Sequence, residues 1–569
     1  MKRRDRFAVA SLVLMLAVVG VAMFATDVAQ SPQPTPIYIT PAPGPTYREA
    51  VVGHPSSINP LTARTQVDRD LVALLFRGLL RAGPNGTLLP DLARSWAISS
   101  DGLTYTFDLR TDARWEDGQP VTAADVVFTV GLAQDPDYEG PLGASWQGIK
   151  VSAVGASVVR FTLATALGGF PRQALLPILP EHALSDTAVA DLADSGFSAR
   201  PMGDGPYQID EIDDSHALLT RVAADPAASE TAASADASGS TATAGATTAG
   251  PGIVENLDLV FFGDQASAMA SFRDGKVDAL GGVTPDSTDE AASRSGASVV
   301  AYPSARLYAV VLNQRAAHPE FANLKARQGL LAAIDRSTIL KTVLLGRGTV
   351  ADVPLPSWSA AYDRAAVSAT DYSTSDAADD LGAAGWTRDQ SGWTLPNAKS
   401  HYSIKLLSPN EATDPVAYRI AGQVAAEWQG LGLDVTVQTF GAADYTQHLV
   451  GGDFDAAVVD YQLGLDPDVS ALFLSTQAAP NGSNLSGVSD TSLDKLLTAV
   501  RTTSDPDARQ AAISAVEKYV STNVLMLPIC FADYEFVVSN RVQGVSTNEI
   551  ADPSGRFWDV LDWRLASDG

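Results

Sequence analysis

Residues 452–468 contain the side chains that are best placed to bind a ligand. The apolar strand predicted over 454–459 leads directly into Tyr461, Gln462 and Asp466. Open α/β sheets bind ligands outside the carboxyl ends of their strands. An aromatic ring there can stack on a ligand, and a carboxylate can hold a cationic group. We therefore expect this segment to line a binding cleft, the alternative being that Tyr461 is a core residue.

The residues that would carry catalysis or bind a metal are scattered along the chain. The six histidines form no HExxH motif and no pair at helical spacing. The sequence has no GxSxG motif and no glycine-rich nucleotide-binding loop. Its single cysteine, Cys530, excludes an intramolecular disulfide and lies in an apolar run, so we expect it to be buried. These observations predict no enzymatic activity, no catalytic residues, no metal site and no cofactor.

Length and charge limit the class of protein further. A chain of 569 residues exceeds one ordinary core, so two or three domains are expected. Lys and Arg number 39 against 66 Asp and Glu, which gives a formal net charge of −27. Such an acidic surface repels phosphate backbones and argues against nucleic acid as a partner.

The elements that precede the candidate site predict an α/β architecture. Residues 403–408 form an apolar strand, and apolar side chains then recur every four residues from Val416 to Trp428. A second strand alternates over 433–437. This βαβ unit implies two parallel strands joined by a right-handed crossover.

Helix signals are also present upstream. Residues 67–80 carry an apolar face and predict one helix. After Asn323 the apolar pattern is interrupted at Asp335 and Ser337, which predicts two helices broken at that point.

The stretch 101–130 has the most distinctive order of local signals. Its residues alternate from Leu103 to Leu109 as in a half-buried strand, and Asp117-Gly118 predicts a tight turn. Thr122-Ala-Ala-Asp125 then has the form of a capping box that opens a helix.

The exact residues of this stretch are more informative than its secondary-structure signals alone. The run DGLTYTFDLRTDARWEDGQPVTAADVVFTV and the preceding LLPDLARSW of 88–96 resemble the peptide/nickel-type (family 5) extracytoplasmic solute-binding proteins of ABC transporters. Further segments follow in the family's order, such as GDGPY at 203–207 and LGAAGW at 381–386. The resemblance extends over 48–569, apart from an insertion at 223–252.

The resemblance implies a two-lobed, periplasmic-binding-protein-like α/β fold with an extra subdomain on the first lobe. The implied boundaries are 48–305 for the first lobe with the subdomain at about 83–199, 306–527 for the second lobe, and 528–569 for the return to the first.

The resemblance also implies positions for ligand contacts. Relatives place a stacking aromatic residue at the position of Tyr461, and peptide binders place an Asp at that of Gly464 to hold the ligand's ammonium group. Because Gly464 lacks this carboxylate, Asp466 becomes the candidate in its place. The other candidate ligand-binding residues are Gln462, Asn484, Asp533, Tyr534 and Trp358.

The amino terminus predicts targeting to a membrane. Residues 1–6 are basic, and 7–25 are apolar or small without a charge. Cleavage after Ala25 would place the bulky Met23 where a small residue is preferred, so we expect an uncleaved anchor within 1–30, with a cleaved signal as the alternative. The proline-rich residues 31–47 predict an extended linker to the globular part.

Residues 223–252 differ from the rest of the chain in composition. Ala, Ser, Thr and Gly dominate, and no aromatic residue is present. Such a segment cannot bury enough apolar surface to offset its ordering entropy, so we expect a disordered surface insertion.

The implied function is the capture of a small solute, with an oligopeptide or dipeptide as the first expectation, and its delivery to ABC permease subunits. The expected partners are this ligand, the permease and the membrane through the N-terminal segment, and the protein is expected to be a monomer. Two alternatives remain: a membrane-anchored sensor with the same fold and no transport role, and an extracytoplasmic enzyme.

Overall fold

The computed structural model describes residues 44–83, 86–140, 142–222, 252–396, 402–480 and 482–566. The predicted membrane anchor, most of the proline-rich linker and the insertion up to residue 251 lie outside these residues. Within the described ranges, no helix has both the length and the apolar character needed to cross a membrane.

Within the ranges given above, one mixed sheet of eleven strands connects both halves of the chain. In spatial order, with strands numbered along the chain, it consists of β18 (Asp434–Phe440), β17 (Ser403–Pro409), β19 (Ala456–Gln462), β13 (Ala297–Leu312), β20 (Leu527–Ser539), β12 (Ala279–Gly281), β1 (Thr46–Val52), β11 (Asn256–Phe262), β9 (His216–Arg221) and β8 (Tyr207–Ile212), with β14 (Gly348–Val350) added to β20.

Two groups of parallel strands define two lobes of this sheet. Strands β12, β1 and β11 are parallel and belong to the first lobe, whereas β17, β18 and β19 are parallel and belong to the second. The long antiparallel strands β13 and β20 join the two groups. The predicted βαβ unit is therefore confirmed as β17, the helix Pro415–Gly430 and β18.

The connection between the lobes passes through a β-bulge. Strand β13 pairs with β20 on both sides of a register shift that lies between Pro303 and Arg306. The Ser304 hydroxyl in this gap donates a hydrogen bond to the Ala532 carbonyl, at 2.6 Å. Bulges bend the strand that contains them, so β13 bends where it passes between the lobes.

Four smaller sheets contain the remaining strands of the described residues. They are a four-stranded sheet of β4 (Ala93–Ile98), β5 (Thr104–Leu109), β7 (Val158–Thr162) and β6 (Lys150–Ala153); a pair of β2 (Leu80–Ala82) and β3 (Leu88–Pro90); a pair of β15 (Thr387–Asp389) and β16 (Gly392–Thr394); and a set of β10 (Gly252–Ile253), β22 (Arg564–Leu565) and β21 (Val542–Gln543).

Helices of eight or more residues are Gln66–Leu75, Ala123–Gln134, Gln265–Arg273, Pro285–Ala292, Leu324–Ala332, Arg336–Val343, Thr374–Ala383, Pro415–Gly430, Ala442–Gly451, Thr491–Thr502 and Pro506–Thr522. Shorter helices are Gly143–Trp146, Phe170–Gln173, Glu181–Leu184, Gly196–Ala199, Pro319–Ala322 and Ser470–Phe473, with 3-10 turns at Val189–Asp191, Ser475–Gln477 and Pro553–Asp562.

Local signals in the sequence predicted several of these elements. The alternating residues become β5, and both hydrogen bonds of the Thr122–Asp125 capping box are formed. Asp335 separates two helices as expected, and its side chain accepts a hydrogen bond from the Thr338 N–H. The helix predicted over 67–80 is wrong beyond Leu75. The Leu75 carbonyl accepts hydrogen bonds from Asp204 and Gly205 on a crossing segment instead of continuing the helix.

Helices cover both faces of the second-lobe sheet. Alternate residues of β13 pack into two different clusters, with Leu307, Ala309 and Val311 on one face and Tyr308, Val310 and Leu312 on the other. The helix Pro415–Gly430 contributes its apolar side to the second of these clusters. Parallel strands buried on both faces are typical of α/β proteins, in agreement with the expected fold class.

A buried ionic cluster connects the C-terminal segment to the first lobe. The Arg556 guanidinium contacts the Glu49 carboxylate at 2.7 Å and the Asp70 carboxylate at 2.6 Å, and all three residues are at most 2% exposed. The Tyr47 hydroxyl donates a further hydrogen bond to Glu49, at 2.6 Å. One guanidinium therefore compensates two carboxylates on β1 and the helix Gln66–Leu75.

Arg556→Met should lower the free energy of unfolding of the first lobe by about 3–5 kcal/mol, because it leaves two buried carboxylates without their cation. Urea denaturation followed by fluorescence measures this change. The control is Lys276→Met, which removes an ion pair with Asp274 that is largely exposed and should change the same quantity by less than about 1 kcal/mol. Equal effects of the two substitutions would contradict a structural role for the Arg556 cluster.

Candidate functional site

A cavity of about 480 Å³ lies between the lobes, beside the β13 bulge. The carboxyl ends of β1, β12 and β19 all reach its wall, which is where open α/β sheets bind ligands. Its polar lining residues are Glu49, Gln66, Asp70, Gln265, Ser304, Arg306, Asp460, Gln462, Asp533, Tyr534, Asp552 and Arg556. Valine and isoleucine side chains from the first lobe and the C-terminal segment add apolar surface.

Three of the candidate residues line this cavity: Gln462, Asp533 and Tyr534. Gln462 ends β19, and its side-chain amide donates a hydrogen bond across the cavity rim to the Ala551 carbonyl. Asp533 and Tyr534 lie on β20, directly after the position where its pairing with β13 shifts register. The structure therefore brings together residues that are 71 and 72 positions apart in the sequence.

Tyr461 lies on the opposite face of β19 from the cavity. Side chains alternate along a strand, so Asp460 and Gln462 face the cavity while Tyr461 points away. Its ring packs, half-buried, against the second-lobe cluster that contains Leu307. Burial raises the pKa of the Tyr461 phenol above its ordinary value. Stacking of Tyr461 on a ligand stays a prediction, and its position in this structure is that of the core alternative.

Asp466 forms one ion pair within the second lobe and one that crosses to the first lobe. Its carboxylate lies 2.7 Å from an Arg509 nitrogen of the second lobe and 3.6 Å from the Arg172 Nε of the first-lobe subdomain. Nearby, the Gly168 N–H donates a hydrogen bond to the Arg501 carbonyl, at 2.8 Å. The Asp466 carboxylate is thus occupied by two guanidinium groups, and it connects the lobes beside the cavity.

The other flank of the cavity has similar contacts. Arg419 of the second lobe lies 2.5 Å from Asp286, and Arg347 lies 2.7 Å from Asp289; both acids belong to the first-lobe helix Pro285–Ala292. The lobes therefore contact each other on both sides of the cavity.

The remaining two candidates lie elsewhere. Asn484 is fully buried and holds its own loop: its amide donates hydrogen bonds to the Leu474 and Val488 carbonyls, and its oxygen accepts one from Ser486. Trp358 is half-buried in the segment after β14. Neither side chain is among the described residues that form the cavity wall.

The cavity wall is acidic. Five carboxylates line it, from Glu49, Asp70, Asp460, Asp533 and Asp552, against the two guanidinium groups of Arg306 and Arg556, so its formal charge is 2 − 5 = −3. Both arginines are already engaged. Arg556 pairs with Glu49 and Asp70, and Arg306 contacts the Asp460 carboxylate at 2.7 Å. Such a wall favours a cationic ligand over an anionic one.

Asp533 differs from the other four carboxylates. Throughout the described part of the chain, no ion pair or side-chain hydrogen bond joins its carboxylate. Burial raises its pKa to about 6, and the nearby Arg347 acts weakly in the opposite direction. Near neutral pH the Asp533 carboxylate is therefore ionised, half-buried and open to a cation in the cavity.

The charged residues Glu49, Asp70, Arg306, Asp460 and Arg556 were missed in the sequence. Glu49 carried a usable signal, because a carboxylate inside an apolar strand requires a buried partner. Its partner Arg556 is 507 positions away, and no local pattern connects two residues at that separation.

A cavity at the bend between two α/β lobes, lined by side chains from both, defines a two-lobed ligand-binding protein. The family model of bacterial extracellular solute-binding proteins, family 5, matches its middle region to residues 87–483, and the chain belongs to this family. The resemblance described above is thereby confirmed, as is the two-lobed fold class. The protein is a solute-binding component of the extracytoplasmic space.

Relatives and solved structures match this chain over about nine-tenths of its length. The oligopeptide-binding protein AppA of Bacillus subtilis is 24% identical over 525 residues, which are 90% of each chain. The structure of AppA with a nonapeptide has a TM-score of 0.71 and 22% identity, covering 93% of this chain and all of that one. NikZ of Campylobacter jejuni, in complex with Ni(L-His), has a TM-score of 0.72 and 24% identity, covering 91% of this chain and 99% of that one.

Asp533→Asn should stabilise the ligand-free protein increasingly as the pH rises from 4 to 7. A carboxyl whose pKa is raised to about 6 in the folded state loses folding stability as it ionises, and an amide does not. Thermal denaturation across this pH range measures the difference. The control is Asp274→Asn, because in the wild type Lys276 lowers the pKa of this exposed carboxyl. The change of its stability difference with pH should therefore be smaller and opposite in sign. If the difference in thermal stability between Asp533→Asn and the wild type did not change with pH, this explanation would be contradicted.

Proposed function

We propose that the protein captures a small solute with a cationic amino group in the interlobe cavity and delivers it, chemically unchanged, to an ABC permease. The observation that carries this proposal is the Asp533 carboxylate, ionised and unpaired in an acidic cavity wall. Membership of the solute-binding family supports the transport role.

The cavity offers an ammonium group a suitable set of partners. Its three N–H donors require acceptors, and Asp533 supplies a charged one, with the Ser304 hydroxyl and the Gln462 amide oxygen on the same wall. Charge-assisted hydrogen bonds of this kind are stronger than those between neutral groups. Asp533 therefore takes the role that relatives assign to the position of Gly464, and it does so from the crossover strand β20 instead of the loop after β19.

A short peptide is the ligand class that fits best. The cavity volume of about 480 Å³ lies in the usual range for small-ligand sites, about 300–1,000 Å³. Apolar side chains such as Val51, Val67 and Ile550 provide surface for a ligand side chain. The B. subtilis relative is named an oligopeptide-binding protein, which is consistent with this class.

We infer that the lobes, 48–305 with 528–569 and 306–527, close on the ligand about the β13–β20 crossing. The contacts of Asp466 with Arg172 on one flank, and of Arg419 with Asp286 on the other, support the closed arrangement. The closed monomer is the form that we expect the permease to accept.

For attachment, we propose that residues 7–25 stay on the mature protein and hold it to the outer face of the membrane. The length of the apolar run and the basic residues before it support this. N-terminal sequencing of protein from cells should find the native start, and a start between residues 26 and 31 would contradict the anchor.

The ligand class is tested by titration calorimetry with dipeptides and their N-acetylated forms, which differ only in the amino-terminal charge. At pH 7.5 we expect acetylation to weaken binding more than tenfold. Asp533→Asn should weaken binding of the free dipeptide to a similar degree and leave the acetylated form unaffected. At pH 5 the wild type should bind about tenfold more weakly, since only about a tenth of a carboxyl with a pKa near 6 is then ionised.

Asp274→Asn is the control, because this exposed aspartate pairs with Lys276 outside the cavity, and it should leave dipeptide binding unchanged. Equal binding of free and acetylated dipeptides would contradict the cationic requirement. If the protein binds another amine in an Asp533-dependent manner but binds no dipeptide, peptides are not its ligand class. The proposed binding of a cation by Asp533 would still hold in that case.

A further inference from the structure

We propose that the second lobe contains a divalent-cation site, with Zn²⁺ as the preferred ion, formed by His318, Glu320 and Asp455. These residues come from the segment after β13 and from the residue that precedes β19. One ligand atom of each lies within 4.8 Å of the others. The site is separate from the interlobe cavity, whose wall contains none of the three.

The two distances from His318 match the coordination sphere of a small metal ion. The His318 Nδ1 atom lies 3.3 Å from the Glu320 Oε1 atom and 3.3 Å from the Asp455 Oδ1 atom. Ligands at the usual zinc distances of about 2.0–2.2 Å and tetrahedral angles are separated by about 3.4 Å. One imidazole and two carboxylates also neutralise a divalent charge, and this donor set suits zinc.

The imidazole nitrogen forms no hydrogen bond within the described residues. His318 Nδ1 is buried, and the Glu320 and Asp455 carboxylates each lie 3.3 Å from it. A buried, neutral imidazole nitrogen that faces two carboxylates without a hydrogen bond is costly in a folded protein. A metal ion bound to this nitrogen and to both carboxylates would remove that cost.

The Asp455 carboxylate is held in place by neighbouring groups. The Tyr402 hydroxyl donates a hydrogen bond to Asp455 Oδ1, at 2.5 Å, and the Lys405 N–H donates one to Asp455 Oδ2, at 2.8 Å. Outer contacts of this kind orient metal ligands and are part of a working site. Side-chain exposure is 4% for Asp455, 11% for Glu320 and 20% for His318, which leaves a path for an ion to enter.

The position of the site suggests its consequence. Asp455 precedes β19, and the far end of that strand carries Asp460 and Gln462 into the ligand cavity. A bound ion would connect β19 to the segment that follows β13, so it would stabilise the second lobe beneath the cavity wall. Metal binding to the folded state alone raises its stability by mass action.

The test uses the full chain without a polyhistidine tag, from which a chelator has removed bound metal. Zn²⁺ is titrated into this protein by calorimetry, and the metal content is measured after dialysis. We expect about one bound equivalent and a higher melting temperature. His318→Ala and Glu320→Gln should each weaken the binding at least tenfold. Glu320→Gln keeps the shape of the side chain, and circular dichroism checks that both variants fold.

His216→Ala is the matched control. His216 also lies beside acids, Glu211 and Asp213, but its Nδ1 already forms a hydrogen bond with Asp258 at 2.7 Å. This substitution should leave Zn²⁺ binding unchanged. Absence of bound Zn²⁺ in the wild type, or Zn²⁺ binding that persists in folded Glu320→Gln or is lost in His216→Ala, would overturn the proposed site.

Discussion

The crossing of β13 and β20 between the lobes is the constraint on which the rest of the structure depends. Each strand belongs to the sheet of both lobes, and the register shift at Ser304 lies where they pass from one lobe to the other. The carboxyl ends of β1 and β12 in the first lobe and of β19 in the second reach the wall of one cavity. The position of the cavity is thus a consequence of the sheet topology, and local side chains determine its charge.

Two kinds of charged residue in the cavity wall bear on ligand binding: arginines paired with carboxylates, and Asp533, which is unpaired within the described residues. Arg556 and Arg306 are both engaged by carboxylates, so they hold the wall together and are not free for an anionic ligand. Asp533 has no such partner, and the protein keeps a half-buried carboxyl whose pKa is raised to about 6. An unpaired charge of this kind lowers stability, and it is the feature from which a ligand cation would gain affinity. Sites of this type commonly trade stability for binding.

Sequence patterns predicted secondary-structure elements, but they did not predict the tertiary contacts of individual side chains. The alternation of β5 and the Thr122 capping box depend on neighbouring residues, and both are confirmed. Strand order led us to expect a cleft at the end of β19, and Asp460 and Gln462 of that strand line the cavity. The orientation of Tyr461 depends on the pleat relative to β13, and the ion pairs of Asp466 depend on Arg172 and Arg509, which are remote in the sequence. The grouping of His318 with Asp455 is likewise invisible to a search by spacing.

The most direct test of the central claim is native mass spectrometry of the protein isolated from cells that produce it, followed by identification of whatever the interlobe cavity retains. The account predicts one small solute with a positively charged amino group, bound to the wild type and lost from Asp533→Asn at unchanged folding. An acidic or wholly apolar solute, or the same solute retained equally by both proteins, would contradict it.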